Sequence, residues 1–392
     1  MLVRKAVVWS LVVLGQILLA IAPASARAAA QRAPSGGKVH TYFVAADEVD
    51  WDYTPDGLDR ITGKPFAGYA KTFVEGGPQR IGHIYRKALY REYTDDTFAQ
   101  LKPRPADQQY LGSLGPVLRG EVGDTIRVVF KNHASRPYGM HPHGVFYNKD
   151  SEGALYNDGT SGADKADDAV PPGSIHVYTW KIPQRAGPGP SDPSSIVWLY
   201  HSHTEEMRDV NSGLIGAIIV TGKGMARPDG TPKDVDREFL SLFMIYDENQ
   251  SHYLDYNIQH FAGDPAGVKK LDLEPRDTDD MFSLIGVGFA PSNFKSTING
   301  YLAGNGPMTS MKLGERVRWY LVTLGEGINF HTPHWHGNVV LDHGRRTDVI
   351  ALSPAQMDTV DMVPDAPGIW LYHCHISDHM DMGMVTRYQV LP

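Results

Sequence analysis

Four His-x-His pairs are the residues in this sequence whose type and spacing best suit chemistry. The pairs are His141 and His143, His201 and His203, His334 and His336, and His373 and His375. Alternate residues of an extended strand point to the same side, so each pair presents two imidazoles together. Such nitrogens are natural ligands for one metal ion or for two neighbouring ions. One pair could arise by chance, but four pairs at matching places in two repeated segments predict a metal site.

A second set of candidate ligands surrounds the only cysteine of the chain. Cys374 lies between the two histidines of the last pair, so its side chain faces away from theirs. His379 and Met384 follow it, and His331 precedes the third pair by three residues. One thiolate, two imidazoles and a weak thioether form the ligand set of a blue copper centre. Zinc is the alternative metal for a Cys/His cluster, but zinc would need neither the methionine nor the further histidines.

The chain repeats itself, and only the second copy carries the thiolate. The segment WLYHSH at 198–203 matches WLYHCH at 370–375 in all but one position. In the first copy, Ser202 stands at the place of the cysteine, and Tyr138 and Met207 stand at the places of two ligand histidines. A site without its thiolate is not a blue copper site. We therefore expect one such site per chain, in the second copy.

Short strands separated by turns must position these ligands. The chain contains 40 glycines and 27 prolines, and its apolar runs are short, which is typical of a β-rich protein. The strands predicted from the sequence pattern are Thr125 to Phe130, Ile175 to Trp180, Ile215 to Val220, Val317 to Val322 and Gln356 to Val363. We expect an all-β fold of two sandwich domains, residues 38–222 and 235–392, joined by a linker at 223–234 that is rich in Gly, Pro and charge.

The N-terminus and the net charge indicate where the protein acts and what it does not bind. Arg4 and Lys5, the apolar residues 6–21 and the small residues 24–26 form the pattern of a signal peptide, which we place at residues 1–28. An uncleaved membrane anchor is the alternative, although the apolar stretch is short for a bilayer. We expect no membrane span after cleavage and an exported protein, periplasmic or extracellular. The net charge of -8 argues against nucleic acid as a partner.

The ligand motifs resemble those of the multicopper oxidases. The four motifs are HPHG at 141–144, HSH at 201–203, HTPHWHG at 331–337 and HCHISDHMDMGM at 373–384. Within that family the chain resembles the ceruloplasmin and hephaestin branch and the small two-domain laccases, from about residue 40 to the C-terminus. The resemblance implies two cupredoxin-like Greek-key β-sandwich domains. It also implies an enzyme that couples one-electron oxidation of a substrate to four-electron reduction of O2 to water.

The resemblance further assigns four coppers per functional unit. The type 1 copper would be bound by His331, Cys374, His379 and Met384. The type 2 copper would be bound by His141 and His334. The coupled type 3 pair would be bound by His143, His201, His203, His336, His373 and His375. Electrons accepted at the type 1 copper would pass through Cys374 to the adjacent His373 and His375.

The same resemblance indicates how the cluster is assembled. Each domain supplies four histidines, so the trinuclear cluster must lie at an interface between domains. Two-domain relatives form homotrimers with a cluster between neighbouring subunits, and we expect the same assembly here. A monomer that pairs its own two domains is the alternative.

The resemblance leaves the reducing substrate open. Phenols, aromatic amines and low-valent metal ions such as Fe(II), Cu(I) and Mn(II) all fit, with O2 as the acceptor. Asp378, beside His379, could bind such a metal ion, or it could be a solvated surface acid. Glu326, just before His331, could also line the entry to the type 1 site. Tyr147 and Glu152 would supply an electron and protons to O2, or they could be a core tyrosine and a surface acid.

Two other functions fit parts of the pattern. A copper nitrite reductase is also a trimer of chains with two cupredoxin domains, but that family carries its blue copper in the first domain. Tyr138 and Ser202 argue against such a site here. A non-catalytic copper-binding cupredoxin protein, or a metal-free adhesion module, is the other alternative. The presence of all twelve candidate ligands argues against it.

Overall fold

Strands and short helices alternate with turns throughout the computed structural model, which describes residues 36–271 and 286–392. The strands of these ranges are β1 Val39–Asp52, β2 Ile84–Tyr93, β3 Val117–Glu121, β4 Thr125–Asn132, β5 His141–Pro142, β6 Ile175–Lys181, β7 Ser195–His201, β8 Ile215–Thr221, β9 Arg237–Asp247, β10 Phe294–Ile298, β11 Thr309–Lys312, β12 Val317–Thr323, β13 Pro333–Trp335, β14 Val340–Asp342, β15 Arg345–Thr347, β16 Met357–Met362, β17 Gly368–Cys374 and β18 Val385–Leu391. The α-helices are α1 Glu206–Ser212, α2 Leu254–Phe261, α3 Phe289–Ser292 and α4 Ser377–Asp381. Short 3-10 helices span Gly68–Phe73, Ala106–Leu111, Lys149–Ser151, Gly162–Lys165, Gln184–Ala186 and Pro265–Gly267. The predicted signal peptide lies outside the described residues.

The strands of the described residues form four sheets, two from each half of the chain. The first half forms a sheet of order β2-β1-β4-β6 and a sheet of order β3-β8-β7-β5. The second half forms a sheet of order β10-β9-β12-β16-β14-β15 and a sheet of order β11-β18-β17-β13. Each sheet places strands side by side that are distant in sequence, as Greek-key sandwiches do. The prediction of an all-β fold with two sandwiches is confirmed.

Within the described part of the chain, three apolar cores lie between the four sheets. One core, which includes Trp180 and Tyr200, fills the first sandwich. Another, which includes Trp319 and Tyr372, fills the second sandwich. A third core joins Leu199 of β7 to β9 and β12, so it lies between the sandwiches. The sheets therefore stack as four layers, with the β7 sheet and the β9 sheet in the middle.

The position of the two middle layers explains why some of their strands lack the usual alternation of buried and exposed residues. Every residue of β8 and of β12 is buried, because both faces of these strands are covered by another sheet. The layers are in direct contact, since the Leu199 N–H donates a hydrogen bond to Sδ of Met357 at 3.1 Å. The described residues, 36–271 and 286–392, accordingly belong to one compact unit.

The observed strands lie close to the predicted ones. The first four predicted strands extend one or two residues further at their C-terminal ends than the apolar pattern indicated. The fifth, Met357–Met362, is one residue shorter at each end. Gln356 belongs to a turn instead, because its N–H donates to the Ser353 carbonyl at 2.9 Å. Within the described ranges, no helix is long and apolar enough to cross a bilayer.

Candidate metal centres

A group centred on Cys374, the sulfur-centred group, gathers residues from the end of β17, the loop before β13, and α4. The Nδ1 atoms of His379 and His331 lie 3.6 and 3.9 Å from the cysteine Sγ and 3.2 Å from each other. Cys374 and Met384 are fully buried. The Cys374 N–H donates to the Met384 carbonyl at 3.1 Å, which holds these two residues side by side. The structure therefore brings the four predicted residues together.

The surroundings of the sulfur-centred group suit a soft metal ion. Nε2 of His331 donates to Oδ1 of Asn329 at 3.1 Å, which leaves the lone pair of Nδ1 facing the sulfur. Burial lowers the pKa of His379 to about 4 and lowers that of His331 well below its ordinary value. Burial also raises the pKa of the Cys374 thiol, although the Thr332 N–H opposes this by donating to Sγ at 3.3 Å. Neutral imidazoles beside a thiol that loses its proton on metal binding match copper chemistry.

The first imidazole group comprises His141, His143, His201 and His203. Antiparallel pairing of β5 with β7 places His141 directly opposite His201. Nε2 of His143 lies 3.1 Å from Nε2 of His201, and the ring centroids of His141 and His203 are 5.3 Å apart. Burial, together with the neighbouring imidazoles, lowers the pKa of His143 to about 4. Its ring is therefore neutral near pH 7, as a metal ligand must be.

The second imidazole group comprises His334, His336, His373 and His375, and it has the same geometry. Pairing of β13 with β17 places His334 opposite His373. Nε2 of His336 lies 3.0 Å from Nε2 of His373, and the nearest ring nitrogens of these two residues and His334 lie within 4.8 Å of one another. The ring of His375 is exposed, with its centroid 5.1 Å from that of His334. The repeated motifs thus build two equivalent half-sites.

Backbone carbonyls fix the orientation of four of these rings. In the first group, Nδ1 of His141 donates to the Glu152 carbonyl at 2.7 Å, and Nδ1 of His201 donates to the Ser202 carbonyl at 3.0 Å. In the second group, Nδ1 of His334 donates to the Asp348 carbonyl at 2.9 Å, and Nδ1 of His373 donates to the Cys374 carbonyl at 2.8 Å. A carbonyl oxygen only accepts, so Nδ1 carries the proton and Nε2 keeps its lone pair. A hydrogen bond from the ring nitrogen that does not bind the metal is typical of metal-binding histidines. The donor set fits a metal cluster.

The two imidazole groups of one chain are far apart. The first group lies on the β7 sheet and the second on the β17 sheet, with the β9 sheet between those layers. Facing sheets pack about 10 Å apart, so roughly 20 Å separates the two layers. Among the described histidines, the rings of each group contact only rings of the same group. A single chain therefore presents two half-sites.

Comparison with known protein families shows which family the chain belongs to. Two family models, both described as multicopper oxidase, match residues 108–224 and 275–392, which together make up more than half of the chain. The two matches contain every residue of the sulfur-centred group and of both imidazole groups. The chain belongs to the multicopper oxidase family.

This multicopper oxidase is similar to three much longer proteins from Homo sapiens. It is 46% identical to ferroxidase HEPHL1 over 91% of this chain and 29% of that protein. It is 42% identical to hephaestin over 90% of this chain and 29% of that protein. It is 37% identical to ceruloplasmin over 90% of this chain and 30% of that protein. The chain thus spans less than a third of the length of these relatives.

Solved structures share the fold of this multicopper oxidase at low sequence identity. A crystal structure of a multicopper oxidase superposes with a TM-score of 0.55 and 18% identity, covering 91% of this chain and 90% of that one. The copper nitrite reductase from Nitrosomonas europaea gives a TM-score of 0.54 and 16% identity, covering 90% of this chain and 94% of that one. Both similarities support the cupredoxin-like fold alone.

Tyr147 and Glu152, which the sequence predicted beside the cluster, both lie near the first imidazole group. The ring centroid of Tyr147 is 5.8 Å from that of His141. Glu152 reaches His141 through its backbone carbonyl, whereas its carboxylate is bound by Lys149 Nζ at 2.5 Å and by the Tyr156 hydroxyl at 3.0 Å. The predicted role of the Glu152 carboxylate in supplying protons stays a prediction.

Acidic residues lie around the sulfur-centred group. Asp378 occupies the first turn of α4, directly before His379, and is partly exposed. Glu326 is exposed on the loop that leads to the group. Burial, with the charges of Glu248 and Glu326, raises the pKa of Asp247 to about 6. Negative charge at this end of the second sandwich favours the approach of cations.

The first sandwich has no thiolate at the matching place. Ser202 and Tyr138 are fully buried there, and Met207 is exposed at the surface. The Ser202 N–H donates to the Leu214 carbonyl at 3.2 Å, as the amide of the cysteine does to Met384. Leu214 therefore stands where the thioether would stand, a correspondence that the sequence comparison had missed.

Proposed function

We propose that this chain is an exported oxidoreductase that accepts single electrons from a reducing substrate and transfers four of them to O2, forming water. The observation that carries the proposal is the link between the two kinds of centre. Cys374 adjoins His373 and His375 in sequence, and Nδ1 of His373 donates to the Cys374 carbonyl at 2.8 Å. A covalent route and a hydrogen-bonded route thus connect the sulfur-centred group with the second imidazole group. Export is proposed from the sequence of residues 1–28 alone.

Four coppers per functional unit would be held by the residues described above. The type 1 copper would be held by His331, Cys374, His379 and Met384. The type 2 copper would be held by His141 and His334. The type 3 pair would be held by His143, His201, His203, His336, His373 and His375. Support comes from the matched half-sites and from the carbonyls that orient their rings.

Copper bound at these ligands supplies one-electron redox chemistry at the sulfur-centred group and O2 reduction at the imidazoles. The protein prepares the ligands for it. Asn329 holds the ring of His331 so that Nδ1 faces the sulfur. The Thr332 N–H donates to the sulfur of Cys374 and stabilises its thiolate. Burial of Met384 and the cysteine excludes water from this side of the group.

The complete cluster would form between subunits of a homotrimer. About 20 Å separates the two sheet layers that carry the half-sites of one chain, so neither half-site can be completed within it. Closed symmetry lets the first imidazole group of each subunit meet the second imidazole group of the next, which makes three clusters per ring. Each half-site includes partly exposed imidazoles, as such an interface requires.

We infer that the reducing substrate is a low-valent metal ion such as Fe(II). A relative that is 46% identical over this chain is named as a ferroxidase, which supports the inference. Asp378 and Glu326 would attract the cation beside His379, and their carboxylates are the oxygen ligands that such ions accept. The partial exposure of His379 places an imidazole edge within reach of a docked ion.

Oxidation of phenols or aromatic amines is a second candidate activity. The observation that favours it is the exposure of Ile328 and Phe330 on the loop before His331. An apolar and aromatic rim beside the group can hold a flat ring. The two activities differ in whether the carboxylates or this rim position the substrate.

Reduction of O2 also consumes four protons, and we propose that Tyr147 takes part in supplying them. Burial, together with the charge of Glu152, raises the pKa of the Tyr147 phenol and keeps it protonated near the cluster. Glu152 would act through the hydrogen bonds that it shares with Lys149 and Tyr156. Tyr147→Phe should slow O2 consumption and leave the copper spectra unchanged.

The experiment that tests the function is O2 consumption by the copper-loaded protein with Fe(II) and with dimethoxyphenol. We expect uptake with both and faster uptake with Fe(II). Asp378→Asn should slow the reaction with Fe(II) and spare the phenol, whereas the exposed Asp365→Asn should change neither. Equal loss with both substrates would contradict a cation-docking role for Asp378. A fully loaded protein that consumes no O2 with either substrate would contradict the proposed activity.

A further inference from the structure

A buried carboxylate occupies the first sandwich next to the place where a type 1 copper would be. Asp209 of α1 is 1% exposed and lies beside Ser202, the residue at the cysteine position. A buried carboxylate is costly unless hydrogen-bond donors compensate it. The partners of this carboxylate therefore show what it holds in place.

The Asp209 carboxylate interacts with four groups. Its Oδ2 accepts from the Ser202 hydroxyl at 2.7 Å, from the Glu205 N–H at 2.9 Å and from the Thr204 N–H at 3.1 Å. Its Oδ1 lies 3.0 Å from Nε2 of His252. Three of these four partners, Ser202, Thr204 and Glu205, lie between His201 and His203 or directly after His203.

The Ser202 hydroxyl extends this network to the other ligand segment. Its oxygen accepts a hydrogen bond from the Gly139 N–H at 3.2 Å. Gly139 lies two residues before His141, in the loop that leads into β5. One hydroxyl, oriented by Asp209, thus connects the segment of His201 and His203 to the segment of His141.

We propose that Asp209 is a positioning residue for the first imidazole group. It holds Ser202 between two ligands and holds the two amides that directly follow His203. It also fixes the distance between the two ligand segments through the hydroxyl bond to Gly139. The inference rests on the proposed function, since it assumes that these imidazoles bind copper. Removing such a supporting hydrogen bond typically weakens metal binding about 10- to 100-fold.

The test compares Asp209→Ala with a matched control, Asp124→Ala. Asp124 is also buried, and it accepts from the Lys38 N–H at 2.8 Å and the Glu121 N–H at 3.1 Å and lies 2.7 Å from His40 Nε2. We expect both variants to lower the thermal midpoint of the copper-free protein. Only Asp209→Ala should lose type 2 and type 3 copper, seen in copper per chain, in the type 2 EPR signal and in the near-ultraviolet band. Its blue colour should persist, because Cys374 lies in the other sandwich.

Two further variants keep the inference testable if Asp209→Ala does not fold. Asp209→Asn retains an oxygen that can accept from the serine hydroxyl and the two amides, and it should recover most of the copper. Ser202→Ala removes the hydroxyl that connects Asp209 to Gly139 but leaves the bonds from the Thr204 and Glu205 amides to Asp209, and it should alter the type 2 signal while the blue band stays. The positioning role would be overturned if Ser202→Ala, and Asp209→Ala where it folds, bound full copper with unchanged type 2 and near-ultraviolet signals. The proposed function would not be affected by that result. A wild-type protein without trinuclear copper would overturn the proposed function, and this inference with it.

Discussion

Two inactive variants should restore activity when they are combined, if the cluster forms between subunits. His143→Ala removes one of the proposed ligands from the first imidazole group, and His336→Ala removes the equivalent imidazole from the second. Each variant alone has one damaged half-site at every interface, so each should be inactive. A mixed oligomer contains some interfaces at which both half-sites are intact.

The size of the recovery follows from the ring geometry. An interface is intact only when its first group comes from the His336 variant and its second from the His143 variant. With equal and random mixing, each condition holds half of the time, so about a quarter of the interfaces are intact. Every mixed trimer contains one intact interface out of three, so purified mixed trimers should reach about a third of wild-type activity.

The assay is co-expression of the two variants with different affinity tags, followed by sequential purification and O2 consumption per type 1 copper. The control is one variant expressed with both tags, which should remain inactive. Mixed oligomers that carry both tags and a full blue signal yet consume no O2 would refute the separation of half-sites argued above. The cluster would then have to form within one chain.

Three further predictions test the fold and its electrostatics. Gly337→Ala, at φ +73° with its added Cβ within 2.5 Å of a tryptophan ring, should lower the free energy of unfolding by roughly 1–3 kcal/mol in urea titrations. Gly314→Ala, at φ +78° in open space, should cost less, and an equal cost would contradict the steric argument. Glu248→Gln leaves the fully buried ammonium of Lys87 without its carboxylate partner, so it should destabilise the protein by about 3–5 kcal/mol. A loss below about 1 kcal/mol, which is typical of an exposed ion pair, would contradict the view that Lys87 and Glu248 form a buried ion pair. Burial raises the pKa of Asp247 to about 6, so the folded protein keeps a proton that the unfolded chain releases near pH 4. The contribution of Asp247 to stability therefore falls as the pH rises from about 4 to about 6. Asp247→Asn should remove this fall, which urea titrations at both pH values would measure.

The grouping of the candidate ligands could be predicted from the sequence because their geometry is local. Residues two apart on a strand share a face, so each His-x-His pair fixes two imidazoles without knowledge of the fold. Cys374 had to face the opposite side from His373 for the same reason, and the structure places it in the core of the second sandwich. Comparison of the two copies also predicted, from Ser202 at the cysteine position, that the first sandwich has no blue copper site.

The arrangement of the half-sites could not be predicted from spacing. It depends on four sheets stacking in one order, which is set by the apolar core between the sandwiches and not by any motif. The sequence predicted a role for the Glu152 carboxylate, which stays a prediction, and it did not indicate that the backbone carbonyl of this residue orients His141. Asn329 and Asp209 were missed, since a supporting hydrogen bond depends on side-chain packing and leaves no periodic signal.

The most direct test of the central claim is the visible and EPR spectra of the copper-loaded wild-type protein beside those of Cys374→Ser. We expect an intense blue band with type 1 and type 2 signals in the wild type. The variant should lose the blue band and the type 1 signal, keep the type 2 signal, and stop consuming O2 with any substrate. A fully loaded wild-type protein that is colourless, or a variant that keeps the blue band, would contradict the assignment of type 1 copper to Cys374 and the oxidase mechanism built on it.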